Sequence, residues 1–307
     1  MLEKIFSRQY RLAWIGFALV VILGVSMAFP GVQAIANGFL GLFRVQRVAV
    51  IQINPGDLPE QLGSSSQFEY MLSENVKVEE VGELQEVSGA AEASQLAGIA
   101  VRLPTNIEGE GKLAVQPGTK VSFEIDLPLV KALLDELGQS QVDLPANLDG
   151  ETITMELPPA VAARYGECEI PTEAMRAAGA DPDQPLPRMP DCVSFVQVAS
   201  PTISAPPGLD IASIGEAFLQ VMGMTPEEAT QFSRTVDWST TLIVPIPRYG
   251  TAYQSVMVDG VEGTLIEQGL EEHFPQYLLI WVKDEVVYAL TGQGDQAEAL
   301  GIANSLK

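Results

Sequence analysis

The sequence predicts an α+β protein: an N-terminal transmembrane helix followed by an extracytoplasmic domain of mainly antiparallel sheet with packed helices. Three observations lead there. A charge-free stretch, residues 12–43, separates a short basic head from a long acidic body. Segments of that body alternate apolar and polar residues with period two, as half-buried strands do, and turn pairs such as Asp149-Gly150 and Asp259-Gly260 introduce or join them. Between the strands lie apolar stripes at helical spacing, several opened by a capping residue.

Residues 1–11 form a cytoplasmic head with Lys4, Arg8 and Arg11. The run 12–29 has 18 residues, within the roughly 17 to 25 that cross a bilayer as a helix. A cleaved signal peptide is the competing reading, with Val32-Gln33-Ala34 as its processing site, but signal cores are usually about 7 to 15 residues long. The longer run, closed by Pro30-Gly31, reads as an uncleaved anchor. Three positive charges before it, against Arg44 and Arg47 after it, place the N-terminus in the cytoplasm of a single-pass protein of the cell membrane. Residues 30–47 read as a juxtamembrane amphipathic segment, because Ile35, Phe39, Leu42 and Phe43 fall near one helical face. A first core helix of the outer domain is the alternative.

The extracytoplasmic α+β region is 48–307, with candidate lobes 48–166 and 193–307. Residues 47–54 alternate and stop at Pro55-Gly56, a strand. Residues 63–66 look like a loop. Residues 76–87 keep alternating Val and Leu despite their acids and read as one exposed strand. A helix is expected over 90–97, ended by Gly98, then a strand over 99–103, stopped by Pro104. Residues 120–125 alternate strictly. Val130, Leu133, Leu134 and Leu137 share a helical face before Gly138, and 152–157 is another alternating strand.

Cys168 and Cys192 are the two cysteines of the chain, and they bracket a proline-rich stretch without core periodicity. In an oxidising compartment they read as a disulfide closing a surface loop, 168–192, worth about 3 kcal/mol on the loop-entropy argument. Two free buried thiols are the alternative.

A strand follows at 193–198, then a Pro-rich connector at 200–208. Asp210 can cap a helix that turns Ile211, Ile214, Phe218 and Val221 inward. Thr225-Pro226-Glu227-Glu228 is a second helix start, with a hydroxyl cap, proline at the first position and glutamate three residues after the cap. Strands resume at Trp238. Residues 253–258 and 261–267 flank Asp259-Gly260 as a hairpin, and 277–282 with 286–290 form another, apolar on both faces. Asp295 starts a last helix that buries Leu300, Ala303 and Leu306.

Leu96-Ala97-Gly98, Val101-Arg102-Leu103-Pro104, Val258-Asp259-Gly260-Val261, Leu279-Ile280-Trp281-Val282-Lys283-Asp284, Tyr288-Ala289-Leu290-Thr291-Gly292 and Ala303-Asn304-Ser305-Leu306 together resemble an uncharacterised bacterial family. Its members are extracytoplasmic α+β domains of unknown function behind one transmembrane helix. They are similar to periplasmic domains associated with anti-sigma factors or with lipoprotein sorting. The resemblance covers roughly 90–307, interrupted by the cysteine loop. It implies a sensory or interaction role, or an apolar pocket for lipid. Two features depart from it. Asp284-Glu285 stands where Asp-Gly is usual, which argues against positive φ at both turn positions. The head also has no Cys or His for an anti-sigma zinc module, so signalling would pass through another membrane protein or a separately encoded partner.

The chemical inventory points away from catalysis. His273 is the sole histidine and sits in a polar connector, where it reads as a loop residue. No phosphate-binding glycine loop and no Gly-x-Ser-x-Gly elbow occur. Ala180-Asp181-Pro182-Asp183 lacks the ligand spacing of an EF-hand. Zinc would need more thiolate or imidazole ligands than two cysteines and one histidine supply. No catalytic residue, cofactor or metal is therefore expected. Trp14 reads as an interface residue, Trp238 and Trp281 as core residues in strands. Beyond Arg47 the chain carries 12 basic and 39 acidic residues, which excludes nucleic acid as a partner. The expected protein is a non-catalytic interaction or sensory module, with the membrane and a protein at its surface as partners. A lipid- or acyl-chain-binding protein is the alternative.

Overall fold

The computed structural model describes residues 45–53, 75–79, 82–136, 144, 146–168, 192–204, 211–222, 224–248, 251–268 and 276–307. The apolar run 12–29, the juxtamembrane face, residues 63–66, Ala180-Asp181-Pro182-Asp183 and His273 lie outside them. Among the described residues no helix is long and apolar enough to cross a membrane.

In chain order the elements are β1 (Arg47–Ile53), β2 (Val76–Val78), β3 (Gln85–Val87), α1 (Ala90–Ala97), β4 (Lys112–Gln116), β5 (Thr119–Glu124), α2 (Leu127–Glu136), a 3-10 turn (Ala146–Leu148), β6 (Thr152–Leu157), β7 (Ala160–Gly166), β8 (Cys192–Ala199), β9 (Thr202–Ser204), α3 (Ile211–Val221), α4 (Pro226–Thr235), β10 (Thr241–Pro247), β11 (Thr251–Val258), β12 (Val261–Gln268), β13 (Gln276–Lys283), β14 (Val286–Gln293) and α5 (Gln296–Ala303). The fold is α+β, mostly antiparallel sheet with a few helices. The chain divides into two units that alternate along it. The first takes Met1–Val81, Thr119–Leu157 and Ser200–Tyr249; the second takes Gly82–Gly118, Pro158–Ala199 and Gly250–Lys307. Neither coincides with a lobe in sequence order.

In the first unit β1 pairs with β10, and the pairing is parallel, from Arg47 opposite Thr241 to Ile53 opposite Pro247. A separate antiparallel sheet runs β2-β5-β6-β9, with β9 inside the expected Pro-rich connector. On α2, Leu127 and Leu134 turn inward with Val130 and pack with Leu144. The start of α4 is a complete capping box. Thr225 Oγ1 accepts from the Glu228 N–H at 3.3 Å and Glu228 Oε2 accepts from the Thr225 N–H at 2.9 Å. Trp238 is buried, but it precedes β10 and is not in a strand as expected. Its indole Nε1 donates to Ser233 Oγ at 3.1 Å. The ring fills the space left by Gly215 of α3, where a Cβ would stand 2.6 Å from it.

The second unit is built on an eight-stranded antiparallel sheet, ordered β11-β12-β13-β14-β8-β7-β4-β3. On one face α1 packs against β3, β4 and β7, and α5 against β13 and β14. Ala93 and Ala97 of α1 and Ala299, Ile302 and Ala303 of α5 are the buried contacts; small residues let both helices approach closely. The expected inward Leu300 is only half-buried, while Leu306 is buried beyond the helix end. Trp281 stacks on Tyr288 at 5.2 Å and on Phe195 at 6.0 Å, joining β13, β14 and β8 through their rings. Gly263 on β12 leaves room for Trp281, since a Cβ there would lie 3.0 Å from the Trp281 Cβ.

Three further expectations change. Residues 76–87 are not one strand: β2 and β3 are three residues each and join different sheets, and Gly82 between them packs so closely on Pro117 that a Cβ would stand 2.9 Å from its ring. Residues 99–103 form no strand, for a reason given below. The Asp284-Glu285 turn does take positive φ at both positions, 51° and 63°, like Asp259-Gly260 at 52° and 81°. The register of β13 on β14 leaves two residues to connect Lys283 to Val286, and the connection takes the type I′ backbone, one of the two forms that match the strand twist, without the glycine usual there.

Candidate functional site

At one end of the second unit's sheet the motif residues converge. Asp259, on the β11–β12 turn, sits between two cations. Its carboxylate accepts from both terminal nitrogens of Arg102, Nη2 at 3.0 Å and Nη1 closer still, and from Lys283 Nζ at 2.9 Å. Lys283 also donates to the Asp259 carbonyl at 2.7 Å, and the Asp259 N–H donates to Asn304 Oδ1 at 2.7 Å. Arg102 Nη2 further donates to the Leu306 carbonyl at 3.2 Å. Three stretches are thus held by one carboxylate, whose side chain is only 10 % exposed, and the C-terminal stretch joins them through the Asp259 N–H and the Arg102 guanidinium.

The backbone of Arg102 is held separately. Gln197 on β8 is fully buried, and its carboxamide accepts from the Arg102 N–H at 2.9 Å and donates to the Arg102 carbonyl at 2.7 Å. A side-chain amide here does what a neighbouring strand would do, which is why 99–103 needs no ladder. The next residue, Leu103, exchanges both backbone bonds with Lys307, at 3.0 and 3.2 Å.

The charges settle in the directions this geometry requires. Burial alone would raise the Asp259 carboxyl, but hydrogen bonds from Arg102 and then Lys283 outweigh it and hold the group below the ordinary carboxylate range. The bond to Asp259 moves Arg102 upward in turn. Burial pushes up the phenols of Tyr165, Tyr288 and Tyr277, the last also through Glu298. Tyr277 Oη and Trp281 Nε1 are buried without a hydrogen-bond partner.

Elsewhere in this unit an open groove of about 650 Å³ runs between the 105–108 segment, the ends of β7 and β8, and α5. Glu108, Glu298, Asn106 and Tyr165 supply carboxylate, amide and phenol groups to it. Its Thr105 hydroxyl is already engaged, donating to the Ser305 carbonyl at 2.9 Å. These groups can accept hydrogen bonds from a polar or cationic ligand, but they do not form a nucleophile paired with a base. Among the described residues no three His, Cys, Asp or Glu side chains converge as metal ligands.

The expected cysteine pair is brought together. Cys168 and Cys192 stand with their sulfurs 2.12 Å apart, at disulfide distance. Cys192 opens β8 directly opposite Gly166, the last residue of β7. The bridge therefore closes the connection between two inner strands of the sheet. Sequence reasoning singled out Arg102, Asp259 and Lys283 only as parts of separate short motifs; an unpaired Arg beside an apolar run and an Asp-Gly turn give no sign of one another.

A family profile described as a domain of unknown function, DUF4367, matches residues 244–306. No curated protein and no solved structure matches the chain. The matched stretch contributes Asp259, Lys283 and Asn304 to the network, whereas Arg102 and Gln197 come from outside it. Over that stretch the chain is similar to an uncharacterised domain of unknown function.

Proposed function

We propose that this protein is a membrane-anchored extracytoplasmic interaction or sensory module, which acts by binding a protein at the membrane surface and has no turnover of its own. The apolar run behind a basic head supports the anchor and its orientation, and the cysteine pair suits an oxidising compartment. For the role itself, the observation that supports it best is the state of Asp259. Among the described residues of the second unit, the Asp259 carboxylate is neutralised by two cations that hold the fold together, so it is not a poised acid or base. The resemblance to periplasmic domains linked with anti-sigma factors or lipoprotein sorting belongs to the same proposal.

The test is crosslinking of the full chain in its membrane, followed by identification of its neighbours and mass spectrometry of an organic extract of the purified protein. A discrete protein neighbour, lost when surface positions are substituted, is the expected result. Stoichiometric lipid in the extract without a protein neighbour would replace this reading with a lipid carrier.

A further inference from the structure

We infer that the groove between the 105–108 segment, the ends of β7 and β8, and α5 receives a basic segment of a partner protein, with a lysine or arginine side chain lying along it. This rests on the interaction reading above and names the partner's chemistry. At about 650 Å³ the groove falls within the range of ligand sites, roughly 300 to 1,000 Å³.

Its walls are set before anything binds. Ser305 Oγ accepts from the N–H groups of Thr105 at 2.9 Å and Asn106 at 3.0 Å, which ties the 105–108 segment to the end of α5. Gly301 lets that segment approach the helix, since a Cβ there would stand 3.4 Å from Asn106 Nδ2. On the other side Gly166 lies opposite Cys192 in the β7–β8 ladder, and the Cys168–Cys192 bridge fixes that end. A pre-organised site loses less on binding than one that must first be ordered.

One polar group in the groove is nearly enclosed and still unengaged. Tyr165 lines it and is only 5 % exposed, yet its hydroxyl makes no hydrogen bond among the described residues and, unlike that of Tyr277, is not sealed in. A hydroxyl so enclosed is under-satisfied until a ligand reaches it. The described lining also contains two carboxylates, Glu108 and Glu298, and no Lys, Arg or His. Neither carboxylate has an ion-pair partner among the described residues. These charges reject an anion, and no three metal-ligating side chains converge among the described residues.

A long organic cation matches the whole lining. The aliphatic stem of lysine or arginine packs on Ile107, Val193 and Ile302 while its head meets the carboxylates, the division such side chains make wherever they are half-buried. Tyr165 Oη can accept from the same head, and the Asn106 carboxamide, both donor and acceptor, matches a peptide backbone. That last group favours a peptide over a free amine.

Calorimetry of the detergent-solubilised full chain at physiological salt tests this, with acetyl-Lys-Leu-Lys-amide as the probe. The peptide should bind saturably, and acetyl-Gln-Leu-Gln-amide and n-butylamine at least about tenfold more weakly. Glu108→Gln and Glu298→Gln should each weaken the peptide by about fivefold. Glu86→Gln, which removes the same charge from β3 outside the groove, should not. Tyr165→Phe should weaken binding by about threefold and leave the unfolding midpoint unchanged, which separates a ligand contact from a structural role. Three outcomes would each overturn the inference: equal losses at Glu86 and in the groove, equal affinity for n-butylamine, or no saturable binding. A protein neighbour found by crosslinking, with peptide binding indifferent to the groove variants, overturns this site and leaves the interaction reading standing. Peptide binding that depends on those residues, without any neighbour in the membrane, supports the groove and overturns the membrane partner.

Discussion

Each unit seats a buried tryptophan against a glycine, and the two are held differently. Trp238 lies over Gly215 and donates to Ser233, five residues away in sequence. Trp281 lies over Gly263 with an unpaired indole N–H, and is fixed instead by the rings of Tyr288 and Phe195 from other strands. The same contrast extends to the polar groups. Among the described residues of the first unit many close turns and cap helices, as Thr225 with Glu228 and Asp237 with Ser239 do, although the Val45 N–H donates to Ser200 across 155 positions. In the second, Arg102 reaches Asp259 across 157 positions and Thr105 reaches Ser305 across 200. The second unit should therefore respond to single changes as a whole, whereas many changes in the first remain local.

Trp281→Ala is the most severe way to break that contrast. Removing a fully buried aromatic from the stack is expected to cost about 4 kcal/mol, read by denaturant unfolding of the full chain; a loss no greater than that of a surface substitution would refute the role of the stack. Asp259→Ala comes next, at about 3 kcal/mol, because it leaves Arg102 and Lys283 facing each other without a counter-ion. It also has a pH signature. The Asp259 carboxyl lies lower in the folded chain than in the unfolded one, so its contribution is present above about pH 4 and is lost as the pH falls through the folded value. Wild type and Asp259→Ala should accordingly converge in stability in acid. A difference that persists unchanged at pH 2 would assign the loss to packing.

Replacing Cys168 and Cys192 together by serine is expected to cost about 3 kcal/mol with the fold retained, since the bridge confines a connection and the sheet register does not depend on it. Near-ultraviolet circular dichroism distinguishes that outcome from collapse of the unit. In the first unit, Thr225→Ala should cost only about 1 kcal/mol and leave the aromatic signal of the second unit unchanged. Smallest is Tyr277→Phe, which removes a buried hydroxyl with no partner and should gain up to about 1 kcal/mol. A loss there would show that a bound water satisfies the group.

What the sequence disclosed is local. The capping box at Thr225, the Asp295 cap, Gly98 at a helix end and the Asp259-Gly260 turn all declare themselves within four residues, and the structure has each of them. Strands β4 and β7 escaped notice because Ala114, Ala160, Ala162 and Ala163 give weak alternation and low strand propensity. Residues 99–103 looked like a strand because Ile, Val and Leu alternate there, and the Gln197 carboxamide that replaces a ladder is invisible in a linear pattern. For the parallel match of β1 with β10 and the meeting of Arg102 with Asp259, sequence spacing gives no cue at all.

The alternation of the two units along the chain also sets a timetable. At roughly 5 to 20 residues per second of synthesis, Arg102 waits about 8 to 30 s for Asp259 to be made, and β1 waits longer for β10. Throughout that interval the early strands exist without the partners that complete them, so a nascent chain leaving the ribosome is most vulnerable to misassociation in the first unit before residue 241 is reached and in the second until residue 259 follows.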